Sequence, residues 1–318
     1  MKSKVILCYL IFFVVYVNTV SAFEHVEVTD SGLVGDFYYK EGVVEQRPII
    51  IFGGSDGGNF LRRNDRYRGV LEDLEKEENR GYAVLALSYF DYSDVGELPS
   101  ILKEIPLEYF KTAIDWLAKQ PGIHGGSVAM YGTSRGGELA LLLASHFTEI
   151  DVVIAASPSA YVWGPYHRDP SVLDHEIKIN PCGSAWTFRG EEIPSICSGS
   201  LASFDPWYGI IDEPNFTENA VIQVEKMSAS TLLLSGKYDD VWPSMEMSNR
   251  IINRLNRFHY PHAHRHLVYA ASHDVFWASW KDVLLFLKEH FPAQSGKAAQ
   301  TGSSMERLVT HAAGDTKR

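Results

Sequence analysis

From position 48 onward the chain alternates short apolar runs with longer stretches in which apolar residues recur every three or four positions. The runs at 48–52, 81–89, 127–131, 152–156, 231–235 and 267–270 are rich in Ile, Val, Leu and Ala and predict buried strands. Between them, Leu107, Phe110, Ala113, Ile114 and Leu117 lie at helical spacing, so 107–119 reads as a helix, as do 138–146 and 280–290. Strands alternating with helices predict an α/β domain with a mainly parallel central sheet and helices on both faces. No internal repeat interrupts this order. Two regions break the rhythm. Residues 160–225, rich in Trp, Tyr, Pro and Gly, fall between two strands and predict an inserted cap. Residues 293–318 are polar and aperiodic and predict a disordered tail.

The first 22 residues stand apart. Lys2 and Lys4 precede an almost unbroken apolar run at 5–17, and Val20-Ser21-Ala22 is a small-residue ending, together the pattern of a secretory signal peptide cut after Ala22. The run is shorter than the roughly 20 residues of a spanning helix, so no stable membrane span is expected after cleavage. The expected organisation is a signal peptide at 1–22, one catalytic domain at 23–292 carrying the cap, and the tail. Export to the medium, a periplasm or a lumen also bears on cysteine chemistry. Cys8 leaves with the signal, and Cys182 and Cys197 are expected to pair as a disulfide. Asn215-Phe216-Thr217 is one glycosylation sequon. A net charge of −11 without a basic stripe argues against a nucleic-acid partner. Oligomeric state is not legible.

Chemistry enters at Gly132-Thr133-Ser134-Arg135-Gly136, a G-x-S-x-G pentapeptide. An apolar run leads straight into it and a helical stretch leaves it, the context of a nucleophile elbow and of an α/β-hydrolase fold. A sharp turn there lifts a serine hydroxyl above the sheet; flanking glycines are expected to give it room and to permit a strained backbone. The helix that follows aims free N–H groups at a developing oxyanion, so the Arg135 N–H is an expected donor. A second donor, from Gly54 or Ser55, is expected in the Gly-rich loop at 53–58, which lacks the Lys-Ser/Thr of a phosphate-binding loop. In this fold an acid and then a histidine follow the serine in loops after late strands. Asp239 and Asp240 both qualify as the acid; Asp239 is preferred because it lies three residues after Gly236 and four before Pro243. His273, just past the last strand, is the expected base. His262, His264 and His266 alternate, but no acid or thiol stands beside them at ligand spacing, so they read as a solvated strand or loop rather than metal ligands. The chemistry calls for no metal or organic cofactor. Trp163, Tyr166, Trp186, Trp207 and Tyr208 either roof an apolar acyl pocket or pack the cap's own core.

The segment LPSILKEIPLEYFKTAIDWL at 98–117 resembles the C-terminal catalytic domain shared by acyl-CoA thioesterases and bile acid-CoA:amino acid N-acyltransferase. The resemblance runs from PIIIFGGSDGG through YAVLALSYF and GTSRGGELALLLAS to SGKYDDVWPS and the His273 loop. It implies that Ser134, Asp239 and His273 are the family's triad and that a small-molecule acyl ester or thioester is the substrate. There are three departures. The animal enzymes carry an additional N-terminal β-sandwich, whereas about 25 residues lie here between signal and first buried strand. The amino-acid transferases use Cys where this chain has Ser134, which favours water as acyl acceptor. The family's CoA enzymes act inside cells, which an exported chain does not. Two other readings are a serine peptidase of prolyl-oligopeptidase type, normally bearing a large partner domain, and a non-catalytic hydrolase-fold binding protein.

Overall fold

The computed structural model describes residues 23–58, 61, 69–76, 79, 81–91, 98–196 and 218–293. The expected signal segment, Cys197, Trp207, Tyr208, the Asn215 sequon and all but the first residue of the expected tail lie outside them. Eight strands form the main sheet: β1 (Glu24–Val28), β2 (Val34–Tyr39), β3 (Arg47–Phe52), β4 (Tyr82–Ser88), β6 (Val128–Thr133), β7 (Ile150–Ala156), β10 (Ser230–Gly236) and β11 (His264–Tyr269). Their order is β1-β2-β4-β3-β6-β7-β10-β11. Every neighbouring pair is parallel except β1–β2 and β2–β4. The mainly parallel sheet is as the sequence predicts; the antiparallel edge was not anticipated, because β1 is four-fifths exposed and carries no apolar run.

Alternation along the central strands divides the core into two layers. Ile50, Phe52, Leu85, Leu87, Met130 and Val153 face one side, while Ile49, Ile51, Val84, Ala86, Tyr131 and Ile154 face the other. Both faces are covered, which is why these strands read as continuous apolar runs. On the first face pack α2 (Leu107–Leu117), α3 (Arg135–Ala144) and α5 (Ser244–Arg257); on the second pack α1 (Gly69–Glu75) and α6 (Phe276–His290). The helix expected from 138 begins at Arg135, directly after Ser134. The strand expected at 267–270 starts earlier, at His264. Helix α5 was not predicted, although Met247, Ile251 and Leu255 recur on one face of it.

The described residues between β7 and β10 have their own order. Helix α4 (Pro170–Ile179) is capped by Asp169 and starts on Pro170. A small sheet joins β5 (Ile105–Pro106), β8 (Trp186–Phe188) and β9 (Glu191–Glu192), with Ile105 opposite Trp186. This segment is thus paired, through β8, with the chain just ahead of α2. Among the described residues no helix is long and apolar enough to cross a membrane.

Candidate active site

Strand order reverses at β3: the chain runs from β3 outward to β4, then returns to place β6 on the other side. Ligand sites of open α/β sheets lie at such switch points, beyond the carboxyl ends of the strands. The loop 53–58 leaves the end of β3 there, and Ser134 follows the end of β6.

Ser134 has φ 56° and ψ −122°, a sparsely populated conformation that costs a non-glycine residue about 1–3 kcal/mol. The strain sits on the serine itself, and this corrects one expectation about the flanking glycines. Gly132 and Gly136 are not left-handed; their contribution is room. A Cβ on Gly132 would lie 2.0 Å from the Gly136 carbonyl oxygen, and one on Gly136 would lie 2.2 Å from that of Gly53. Gly54 is constrained less tightly: its Cβ would approach Ser134 Cβ at 2.8 Å, the Thr133 carbonyl oxygen at 2.9 Å and Arg135 N at 3.4 Å. The β3 loop therefore lies directly against the elbow. Arg135 opens α3, so its N–H belongs to the first turn, where a helix supplies no acceptor.

His273 Nδ1 lies 2.9 Å from both carboxylate oxygens of Asp239. Donating to a carboxylate requires the proton on Nδ1, which leaves Nε2 as an acceptor. The Asp239 side chain is 3% exposed. Its Oδ1 also accepts from the Val241 and Trp242 N–H groups at 3.0 and 3.2 Å, and its Oδ2 accepts from Ser244 Oγ at 2.5 Å. Burial pushes this carboxyl up, but the hydrogen bond and charge of His273, with Ser244 and Trp242, outweigh it and hold the group below its ordinary value. A folded pKa below the unfolded one stabilises the protein above the ordinary range near ~4, and that contribution is lost as pH falls through the folded value. Melting temperature followed from pH 6 downward should therefore fall less steeply for Asp239→Asn than for the wild type.

Asp240 does not touch the imidazole. It accepts from Ser272 Oγ, the residue before His273, so the two adjacent acids divide the work: Asp239 holds the ring and Asp240 the loop that carries it.

A corner at the end of β7 ties these loops together, and the sequence reading missed it. Ala156 O accepts from Ser134 N at 2.8 Å. The next residue, Ser157, has φ 45° and donates from Oγ to the His273 carbonyl at 2.6 Å. Its own carbonyl accepts from Trp242 Nε1 at 3.0 Å. Also missed was Tyr89, whose hydroxyl lies 2.9 and 2.8 Å from the carbonyls of Gly53 and Gly54 and pins the β3 loop. A lone Ser after a strand and a Tyr at a strand end are too common to be singled out.

Two of the aromatics expected either to roof a pocket or to pack the core of the 160–225 segment are instead buried against the main domain core. Trp163 is 3% and Trp186 0% exposed. Trp163 stacks on Trp242 at 6.1 Å, and Trp186 packs on Tyr89 at 5.8 Å. His264 and His266 lie on β11 and are engaged with side chains: His264 with Asn256, His266 with Asn249 and Ser235. Among the described residues, no three His, Cys, Asp or Glu are grouped to hold a metal ion.

Sheet order, elbow and loop positions define an α/β-hydrolase fold. Solved structures agree on the fold: an esterase from Pyrococcus furiosus superposes with a TM-score of 0.50 at 19% identity, covering 84% of this chain and 91% of that one. A putative dienelactone hydrolase from Klebsiella pneumoniae gives 0.51 at 16% identity, covering 86% and 98%. Residues 105–275 match the family model described as BAAT / Acyl-CoA thioester hydrolase C terminal, and the chain belongs to that family. Human acyl-coenzyme A thioesterase 6 is 32% identical over 171 residues, 52% of this chain and 36% of that protein. Human mitochondrial acyl-coenzyme A thioesterase 2 is 30% identical over 215 residues, 65% and 38%. Mouse acyl-coenzyme A amino acid N-acyltransferase 1 is 27% identical over 214 residues, 65% and 47%. The chain spans less than half the length of each of these curated relatives.

Proposed function

We propose that the protein is a serine hydrolase that cleaves small-molecule acyl esters or thioesters through Ser134, His273 and Asp239. The observation that carries this reading is the Asp239–His273 pair, bonded at 2.9 Å and tied through Ala156 and Ser157 to a serine in a strained elbow. Ser134 Oγ attacks the acyl carbonyl while His273 Nε2 takes its proton. Asp239 keeps the Nδ1 tautomer and stabilises the imidazolium. The N–H of Arg135, with that of Gly54 or Ser55, stabilises the oxyanion. The imidazolium returns its proton to the leaving alcohol or thiol. His273 then activates water, which releases the acid and frees Ser134. The relatives' names favour thioesters; a serine at position 134 favours water as acceptor.

The decisive experiment is covalent. A fluorophosphonate probe should label the purified protein, and peptide mapping should place the adduct on Ser134. A screen of p-nitrophenyl esters against acyl-CoA thioesters should then show turnover of at least one class. No labelling and no turnover of either would overturn the reading, and cleavage of peptides alone would replace it.

Export, cleavage after Ala22 and the Cys182–Cys197 disulfide belong to the same proposal. Protein recovered from a secreting host should begin at Phe23 and react with thiol reagents only after reduction and denaturation. An N-terminus at Met1, or free thiols without reductant, would remove them.

A further inference from the structure

Glu138 is fully buried on the first turn of α3, four residues past Ser134, and the proposed mechanism does not use it. Its Oε1 accepts from the Trp163 main-chain N–H at 3.0 Å and from Trp186 Nε1 at 2.9 Å. Its Oε2 lies 2.9 Å from Arg135 Nε, an ion pair whose angle falls outside a hydrogen bond. The same guanidinium donates to the carbonyls of Gly164 and Trp163 at 3.1 and 3.2 Å. Burial pushes the Glu138 carboxyl up, opposed by the charge of Arg135 and by the two donors.

Stability does not account for such a group. A buried ion pair is commonly neutral or costly beside apolar residues of equal volume. Its connections are more informative, because each donor leads to a different part of the site. Trp163 stacks on Trp242, whose N–H binds Asp239 and whose indole N–H binds Ser157. Trp186 packs on Tyr89, whose hydroxyl binds Gly53 and Gly54. Arg135 carries the N–H placed at the oxyanion. From one carboxylate, contacts reach the acid loop, the β3 loop and the elbow helix.

We infer that Glu138 is a positioning residue, whose Oε1 docks the 163–186 part of the insertion so that the acid loop and the oxyanion loop hold their places around Ser134. The inference rests on the serine-hydrolase reading above and adds to it a role for a residue remote from the reacting atoms. It treats this part of the insertion as a fixed wall of the site.

Two variants separate the role from mere folding. Glu138→Gln and Glu138→Met both remove the charge and both leave Arg135 without its partner, but only glutamine keeps an acceptor at Oε1. With the best ester or thioester from the screen, Glu138→Gln should hold kcat within about threefold of wild type. Glu138→Met should lose about tenfold in kcat, the worth of one well-made interaction, with KM within about twofold. Wild-type or equally reduced kcat in both variants would overturn the inference. Should Glu138→Met not fold, Trp186→Phe removes one donor to Oε1; a severalfold fall in kcat at unchanged KM supports the role and an unchanged kcat overturns it. The probe keeps the two ideas apart: no adduct on wild-type Ser134 defeats the hydrolase reading, whereas wild-type labelling with insensitive Glu138 variants defeats only this one.

Discussion

Ser134→Ala is expected to lower kcat about 10⁶-fold and Asp239→Asn about 10⁴-fold, while Asp240→Asn stays within a few fold of wild type. The size of the first loss follows from chemistry alone. An alanine leaves no atom to form the acyl-enzyme, and only oxyanion donors and binding remain. The second follows from geometry. Asp239 meets the imidazole with both oxygens at 2.9 Å, so an asparagine must turn an NH₂ toward Nδ1 or leave one oxygen to do the work of two. The amide that faces Nδ1 favours the tautomer with the proton on Nε2, which cannot take one from Ser134. The comparison with Asp240 makes the series specific. That residue is exposed and accepts from Ser272 Oγ, whereas the ring is held by Asp239. Steady-state kinetics on one good ester, with melting temperatures measured alongside, is the check. An Asp240→Asn loss equal to that of Asp239→Asn would mean that the loop, not the imidazole contact, limits catalysis.

Much of this site was legible because it lies where local pattern and strand order coincide. The strands 48–52, 81–89 and 152–156 are buried on both faces, and that burial makes them read as unbroken apolar runs. A Gly-x-Ser-x-Gly between such a run and a helical stretch carries its own context, and late loops can be counted to Asp239 and His273. What was not legible depends on contacts between distant segments. Ser157 reaches His273 across 116 positions, Tyr89 reaches Gly53 across 36, and Glu138 reaches Trp186 across 48. Each is an ordinary residue until strand order puts it beside its partner. The edge strand β1 escaped for another reason: an exposed strand needs no apolar period. The glycines lie between these cases. The motif marks Gly132 and Gly136 correctly, but only the backbone shows that they serve closeness rather than left-handed φ.

Closeness also governs Gly236, where substitution should be felt at a distance from every reacting atom. Gly236 ends β10, opposite Tyr269 of β11, three residues before Asp239. The chain of the His273 loop crosses directly over it. A Cβ there would lie 1.9 Å from the Ser272 carbonyl oxygen and 2.7 Å from that of Ala271. These are backbone atoms, so no side chain can swing aside. Tyr238 N is meanwhile bonded to Ala271 O at 2.9 Å and Lys237 N to Tyr269 O at 2.8 Å, which ties the two loops together immediately after Gly236. Gly236→Ala must therefore part the acid loop from the histidine loop. Overpacking of this kind costs about 1–3 kcal/mol. A displacement of about 1 Å between groups that must cooperate costs about 10²-fold in rate. Gly236→Ala should show both losses, a lower melting temperature and a kcat about 10²-fold down. Fluorophosphonate labelling of Ser134 should be slowed in proportion, since that reaction needs the same base. A fall in melting temperature with kcat and labelling rate unchanged would show that the 1.9 Å approach is relieved without moving His273 from Asp239.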